Sequence, residues 1–439
     1  MPKVELSIDA QYLAGSWGPF EGIRELIQNA KDADTEFGAR MEVSHYKRGD
    51  QLRISNQGAV LSYEALLMGH TSKASRPDLI GKWGEGLKVG ILALLREGYQ
   101  IKIRTGSEVW VPAIERSEKF QAEVLVFDIR TGRKHQDRTR VEVSPVGGED
   151  WAEWQASFLF LCPPKKKDSI QTTRGELLRA PEHKGGLYVK GILVERCPTM
   201  QYGYNFFDLE VDRDRRLVSS SDKEYHCSEI WNEALNREPA LASDLYELLE
   251  EGRQEVAGLG WWCHSMVLET TQNLFLSKYG EKALPVQSLA DSARLEHLGY
   301  RGIVVPRVLQ RVLSRTLGNT EQRIAQLVEA ARQRYSWQDL DATERANLGR
   351  AISLVRPHKE VSLQTLEIVD FEDECLEGQC DATGTIKLGK HILASAERTL
   401  RVLIHEVAHL NGAQDGDKSH VHAIEMLWSA LFHQSSLSH

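Results

Sequence analysis

The 439-residue sequence has six cysteines and no pair of them in a CxxC spacing, so neither a disulfide framework nor a zinc ribbon is indicated. Cys375 and Cys380 are the closest pair, but the second pair that would close a metal site is absent. No run approaches the ~18 apolar residues of a membrane helix. The N-terminal MPKVELSIDAQYL also lacks the long apolar core of a signal peptide, and both absences point to the cytoplasm and away from a membrane partner. Basic residues are in deficit, 54 Lys and Arg against 63 Asp and Glu for a net charge of -9. That balance argues against a surface built mainly to neutralise nucleic-acid phosphates, although it leaves room for a local basic patch. No internal repeat is found. What remains is a globular composition, 41% hydrophobic and 27% charged, in a chain long enough for about three domains.

Residues 1–150 alternate helical and extended patterns. Ile23, Leu26, Ile27 and Ala30 share one helical face, and MEVSHY, QLRISN, YQIKIRT, AEVLVFDI and TRVEVS read as strands. Residues 151–227 hold loop signals around the strand run GGLYVKGILVE and read as a β-rich extension. Residues 228–357 are dominated by helical patterns and read as a connector. Residues 358–439 return to extended segments, SLQTLEIVDF and GTIKLG, followed by two helices. The fold class expected is α+β, in several domains.

Two segments carry chemistry. In RELIQNAKDAD, Glu25 and Asn29 are one helical turn apart, with Asp32 on the same polar side. A carboxylate able to take a proton from water, beside an amide oxygen able to ligate Mg²⁺, is what phosphoanhydride hydrolysis asks of a protein. ISNQGAVLS follows, a strand turning at Gly58, and then GHTSKAS and GKWGEGLKVG. Glycines 81, 84 and 86 let backbone approach a phosphate, and the helix they open offers free N–H groups and Lys88.

In this order and spacing, residues 20 to about 145 resemble the GHKL superfamily of ATPases, which implies a Bergerat-fold α/β sandwich, ATP and Mg²⁺ as cofactors, and nucleotide-dependent homodimerisation. The resemblance implies Glu25 as general base, Asn29 as Mg²⁺ ligand and Asp32 in the pocket wall. It places Asn56 where the family reads adenine with an Asp, Gly58 at the next glycine, Lys73 in the lid, Gly81, Gly84, Gly86 and Lys88 in the phosphate box, and Thr139 near adenine. Asn56 can donate as well as accept, so softer discrimination between adenine and guanine is expected. A second domain that sends a cation to the terminal phosphate has candidates in Lys184, Lys190, Arg213, Arg215 and Arg216. No phospho-acceptor helix pair precedes the ATP segment, which disfavours a histidine kinase.

The other segment is TLRVLIHEVAHLNGAQD. His405 and His409 are one turn apart, so both imidazoles can close on one Zn²⁺, and Glu406 stands beside a water polarised by the metal. GTIKLG ahead of it is expected as an edge strand able to pair with a substrate backbone. HEVAHLNGAQD resembles the metzincin pattern with Asp in the last position, which makes Asp415 the third ligand, Gly412 providing the bend. His420 and His422 are the alternatives, and His420 also fits a buried helical pattern with Ile424, Leu427 and Leu431. Without a methionine turn, Met426 being in a helical pattern, the resemblance stops at zincin.

Together the two signatures imply an ATP-gated zinc metallopeptidase acting on a protein substrate. The fusion resembles multidomain GHKL and zincin proteins of bacterial stress and anti-phage defence systems. The alternatives are a chaperone-like or scaffold ATPase whose HEVAH domain only binds metal or a partner, and, with less support from the charge, a nucleic-acid remodeller.

Overall fold

Alternating apolar residues build the first layer of the chain. The computed structural model describes residues 3–67, 79–80, 84–212, 217, 219–358, 366–371, 375–381, 383–411, 414–415 and 417–436. In it, β1 (Lys3–Asp9), β2 (Met41–Tyr46), β3 (Gln51–Gln57), β4 (Gln100–Ser117) and β5 (Ala122–Ser144) form one sheet with α1 (Pro19–Phe37) and α2 (Gly86–Arg96). The strand order is β1-β5-β3-β2, and β4 pairs with the other side of β5. AEVLVFDI and TRVEVS, read as separate strands, are the two ends of β5. In the polar stretch between them the ladder to β4 shifts register between Glu108↔Thr131 and Gly106↔Gln136, a bulge that separates two regularly paired halves. Leu52, Ile54, Ile103, Phe127 and Val143 of the sheet pack with Ile23, Ile27 and Ile91 of the helices.

Sequence signals bound α1 on both sides: Glu21 Oε2 accepts from the Gly18 N–H at 2.9 Å, Pro19 stands at its first turn, and Gly38 ends it at φ 63°. α1 and α2 cross at backbone contact. A β-carbon on Gly22 would lie 2.8 Å from Gly90 O, so only glycine permits that approach.

After α3 (Gly148–Gln155), the β-rich extension forms a second sheet from β6 (Ser169–Gln171), β7 (Gly175–Leu178), β8 (Gly186–Val189), β9 (Ile192–Arg196) and β10 (Gly203–Phe206), in the order β6-β7-β10-β8-β9. Phe158 and Ile192 belong to the core of the first sheet, which joins the two. Then come α4 (Ser220–Arg237), α5 (Ala242–Glu251), α6 (Ser265–Tyr279), β11 (Ala283–Val286), α7 (Leu289–His297), β12 (Arg301–Val304) and α8 (Arg307–Leu317).

Two compact units result, Met1–Glu281 with Val304–Thr316, and Lys282–Ile303 with Leu317–His439. The stretch read as one helical connector is divided between them and includes short strands.

In the second unit α9 (Thr320–Ala331), β13 (Arg334–Tyr335) and α10 (Ala342–Val355) precede β14 (Leu366–Val369), β15 (Gly378–Cys380), β16 (Ile386–Gly389), α11 (Ala396–Ala408) and α12 (Lys418–Ser436). The sheet order β13-β14-β16-β15 corrects one expectation: GTIKLG supplies β16, an interior strand, and the edge is β15. All four β16 residues are buried and paired parallel to β14, and Ile386, Lys387 and Leu388 are also paired antiparallel to β15. Leu388, Val402, Leu403, Val407, Leu427 and Leu431 are part of the core that binds this sheet to the helices. Among the described residues no helix is long and apolar enough to cross a membrane.

Candidate functional site

Two glycines of α2 make the space that Glu25 occupies. A β-carbon on Gly86 would lie 2.1 Å from Glu25 Oε2, and one on Gly90 3.1 Å from Glu25 Cβ. The carboxylate is 1% exposed, with Arg24 Nε 3.5 Å from its Oε1. One turn on, Asn29 Nδ2 donates to the Glu25 carbonyl at 2.8 Å, which leaves Oδ1 as the acceptor. Both side chains line a cavity of about 320 Å³ whose wall also includes Asn56, Gly84, Gly86, Lys88 and Thr139. Ile54, Val60, Leu61 and Val141 give it an apolar side suited to a flat base. The polar side of α1 is therefore a cavity wall and not a solvent face.

The amide of Asn56 is fixed. Its Nδ2 donates to Ala30 O at 2.8 Å and to Ala39 O at 2.9 Å, using both N–H groups, and the reverse orientation would set Oδ1 against two carbonyls. What Asn56 offers the cavity is an acceptor only, as a carboxylate would. The expectation of softer purine discrimination counts this amide as a free donor, whereas both of its N–H groups are taken up by carbonyls. In register with Asn56 stands Thr139, whose hydroxyl donates to Ala59 O at 2.9 Å and meets Thr105 Oγ1 at 3.0 Å. Thr105 in turn accepts from the Leu61 N–H at 2.7 Å, so the pair holds the turn after β3 in place. Thr105 was not singled out in the sequence, though its register opposite Thr139 on neighbouring strands is the signal that locates it.

Asp32 departs from its expected place. It is 1% exposed, its Oδ1 accepts from Ile80 N at 2.7 Å, and it does not line the cavity. Its role is to anchor the backbone that enters the glycine-rich segment. Gly58 also sits behind the wall, at φ 92° with its N–H on Asp137 O, where its value is conformational. Lys88 lies on the cavity with its ammonium turned to the carbonyls of Ala65, Leu67 and Gly84, and burial pushes its pKa down to about 8. Lys73 and Gly81 lie outside the described residues, as do Arg213, Arg215 and Arg216. Of the two lysine candidates, Lys184 is exposed and Lys190 reaches back to this region. Lys190 and Gly191 form the two-residue turn between β8 and β9, at φ 50° and 81°, and Lys190 Nζ donates to Leu79 O at 2.9 Å.

In the second unit, α11 starts at Ser395, whose hydroxyl caps it, and carries His405 and His409 on one face. His405 Nε2 and His409 Nε2 are 3.4 Å apart, and Asp415 Oδ1 is 3.1 Å from the first and 3.3 Å from the second. A tetrahedral zinc with bonds of about 2.0–2.1 Å has ligand-to-ligand edges of roughly 3.3–3.4 Å, so these three donors already stand at the corners that such an ion requires. His420 Nδ1, from α12, faces the same oxygen at 3.8 Å, and its Nε2 lies 3.4 Å from the His405 carbonyl. A ring nitrogen on a backbone carbonyl with the other turned to the donors is how a ligating histidine is held. His420, an alternative ligand that also fits a buried core position, thus joins the cluster. His422 is exposed and stands outside it.

Glu406 is 6% exposed. It accepts from the Cys380 backbone N–H, and burial pushes its carboxyl up to about 7. Edge strand β15 lies against it so closely that a β-carbon on Gly378 would be 2.8 Å from Glu406 Oε1. Arg398 and Arg401 of α11 hold Glu377, at the entry to β15, by ion pairs of 2.5 and 2.9 Å. An open cleft bordered by Gly378, Gln379, Cys380, His405, Glu406 and His409 results.

No family model matches the chain. An uncharacterized protein of Mycoplasma pneumoniae is 20% identical over 244 residues, which are 53% of this chain and 98% of that protein. Among solved structures, the ATPase region of Saccharomyces cerevisiae topoisomerase II is similar at 14% identity and a TM-score of 0.25, over 40% of this chain. The chain spans 62% of the length of that structure.

Proposed function

We propose that the first unit binds and hydrolyses MgATP, and that the second is a zinc-dependent peptidase controlled by the nucleotide state of the first. The observation that carries the nucleotide half is convergence: residues from α1, β3, the start of α2 and β5 meet on one cavity, a buried carboxylate at one end and an acceptor-only amide at the other. Glu25 takes the proton from the attacking water, Asn29 Oδ1 holds Mg²⁺, and Asn56 Oδ1 accepts from the adenine amino group.

The anchored amide makes a test with a definite sign. Asn56→Asp removes the two N–H groups and sets a carboxylate oxygen against the carbonyls of Ala30 and Ala39. We expect it to lose both stability and ATP affinity, the penalty of two orphaned buried acceptors being about 1–3 kcal/mol each. Thermal melting and ATP and GTP titrations check this, and an unchanged melting temperature with sharper preference for ATP would overturn the anchoring.

The metal half rests on the tetrahedral spacing of His405, His409 and Asp415 and on the chemistry of the set, imidazoles with one carboxylate. Zinc bound there would polarise a peptide carbonyl and acidify water. Glu406 would then be the group that takes a proton from a water at this site, and β15 offers its edge to an extended substrate. The purified protein should carry about one zinc per chain. His405→Ala and Asp415→Ala should release it, and His420→Ala should keep it, by metal analysis after dialysis. Stoichiometric zinc in His405→Ala overturns the site.

A second reading, a metal-binding domain without peptidase activity, is favoured by one observation: His420 supplies a fourth donor, and four protein ligands close a zinc site to substrate. Azide added to the cobalt-substituted protein separates the two. A shift in the visible spectrum shows an open position, and an unchanged spectrum favours the closed site. The further reading as a stress or defence effector draws on the fusion alone; loss of protection against phage in Glu406→Gln cells tests it.

A further inference from the structure

The face of the first sheet opposite α1 and α2 carries a charge arrangement that the ATPase chemistry does not use. Side chains alternate along β3 and β5, so Asn56 and Thr139 point to the nucleotide cavity while their neighbours Ser55, Arg138 and Arg140 point the other way. Arg140 stands directly opposite Arg104 of β4, and Arg53 of β3 is directly opposite Glu142. Like charges opposed across a ladder destabilise it. Glu142 is the carboxylate within this block: Arg104 Nε is 3.4 Å from one of its oxygens and Arg53 Nε 3.8 Å from the other. Arg53 is further held by Tyr46, with its guanidinium 4.4 Å over the ring and Nη1 on the hydroxyl at 2.9 Å. Arg140 Nε is buried without a hydrogen-bond acceptor among the described residues, and burial with its arginine neighbours holds its pKa below the usual value.

These side chains surround a cavity of about 750 Å³, where five basic residues, Lys134 among them, face two acidic ones. A local net of three positive charges in a chain of net charge -9 is not a by-product of composition. The extent of the basic side chains, rather than the volume, limits the ligand. Strands lie about 4.8 Å apart and same-face residues about 6.6 Å apart along a strand, so three strands and two outward rows cover roughly 10 by 7 Å, the span of two or three linked phosphates. Beyond it the outward positions include Glu42, Ser44, Gln51, Gln57, Gln100 and Lys102, and Lys102 as the one basic residue of these does not extend a stripe along which a nucleic-acid strand could run.

We propose that this face is a second anion site, back to back with the nucleotide cavity, and that it takes a compact ligand of two or more linked phosphates gripped by Arg104, Arg138 and Arg140. Guanidinium forks pair bidentately with phosphate oxygens, and the ligand supplies the acceptor that the buried Arg140 Nε lacks among the described residues, while Arg104 keeps Glu142. Glu142 beneath them sets their orientation.

The test uses the full chain in phosphate-free buffer, with inorganic tripolyphosphate as probe. Calorimetry should show binding that weakens at least about tenfold in Arg104→Gln/Arg140→Gln and is unchanged in Asn29→Ala, where the other cavity is impaired. Without ligand, Arg140→Gln should melt at the same temperature as the wild type or higher, because an opposed charge is removed. Tripolyphosphate should raise the melting temperature of the wild type and not of the double variant. Equal affinity for tripolyphosphate and GTP in Asn29→Ala assigns the site to the phosphate chain; tighter GTP binding assigns it to a free nucleotide, and either supports the proposal. It is overturned if tripolyphosphate binds the double variant as tightly as the wild type, if Arg140→Gln alone lowers the melting temperature, or if a single-stranded 20-mer binds this face more tightly than tripolyphosphate.

Discussion

Glu25→Gln should bind MgATP within a few-fold of the wild type and hydrolyse it at least about a hundredfold more slowly, since a positioned general base is worth about 10²–10⁴ in rate. The substitution keeps the shape of a side chain that fills the space left by Gly86 and Gly90, so the cavity survives while proton acceptance is lost. Gly86→Ala approaches the same point from the other side. Its β-carbon would fall 2.1 Å from Glu25 Oε2 and drive the carboxylate out of position, so it should lose hydrolysis with Glu25 still present. Single-turnover rates and nucleotide titrations check both. Hydrolysis at the normal rate in Glu25→Gln removes Glu25 from the role of base.

What the sequence made legible follows from where physical constraints are local. Helix α1 is legible because its apolar period, Ile23, Leu26, Ile27 and Ala30, is coded within a few residues. Likewise His405 and His409 could be paired because a helix turn fixes their separation. The positions that shifted depend on contacts remote in sequence. The family resemblance places Asp32 in the pocket wall, but its Oδ1 accepts from the N–H of Ile80, 48 residues on. The amide of Asn56 is aligned by Ala30 and Ala39, which no local pattern announces. GTIKLG reads as an edge because it precedes the HEVAH helix, whereas pairing with β14 and β15 makes it interior. His420 fitted an apolar helical stripe equally well as core or ligand, and only the facing of its Nδ1 toward Asp415 separates the two. The basic face of the first sheet was hidden for the same reason: Arg53, Arg104 and Arg140 come from three strands scattered over about ninety residues, inside a chain whose overall charge is acidic.

Glu406→Gln should abolish proteolysis, by about 10²–10⁴, while leaving ATP turnover and zinc content unchanged. The side chain is buried beside the donors but is not one of them, and its amide replacement can still accept from the Cys380 N–H, so the local fold is kept. The effect should divide by nucleotide state. If ATP governs the peptidase, the nucleotide must bind two global states of the chain with different affinity, because a ligand that does not discriminate between states shifts nothing. Cleavage that depends on Glu406 should then differ between the apo protein, the ATP-bound protein and Glu25→Gln trapped with ATP, by about 5–150-fold for a coupling free energy of 1–3 kcal/mol. Linkage adds a second readout that needs no substrate. Removing zinc should change ATP affinity by the factor by which ATP changes zinc affinity, and titration of the Glu25→Gln chain with and without metal measures it. Proteolysis in Glu406→Gln at the wild-type rate removes Glu406 from the reaction. Identical cleavage in all three nucleotide states, together with an ATP affinity indifferent to zinc, reduces the two units to a tether and leaves the separate readings of each site standing.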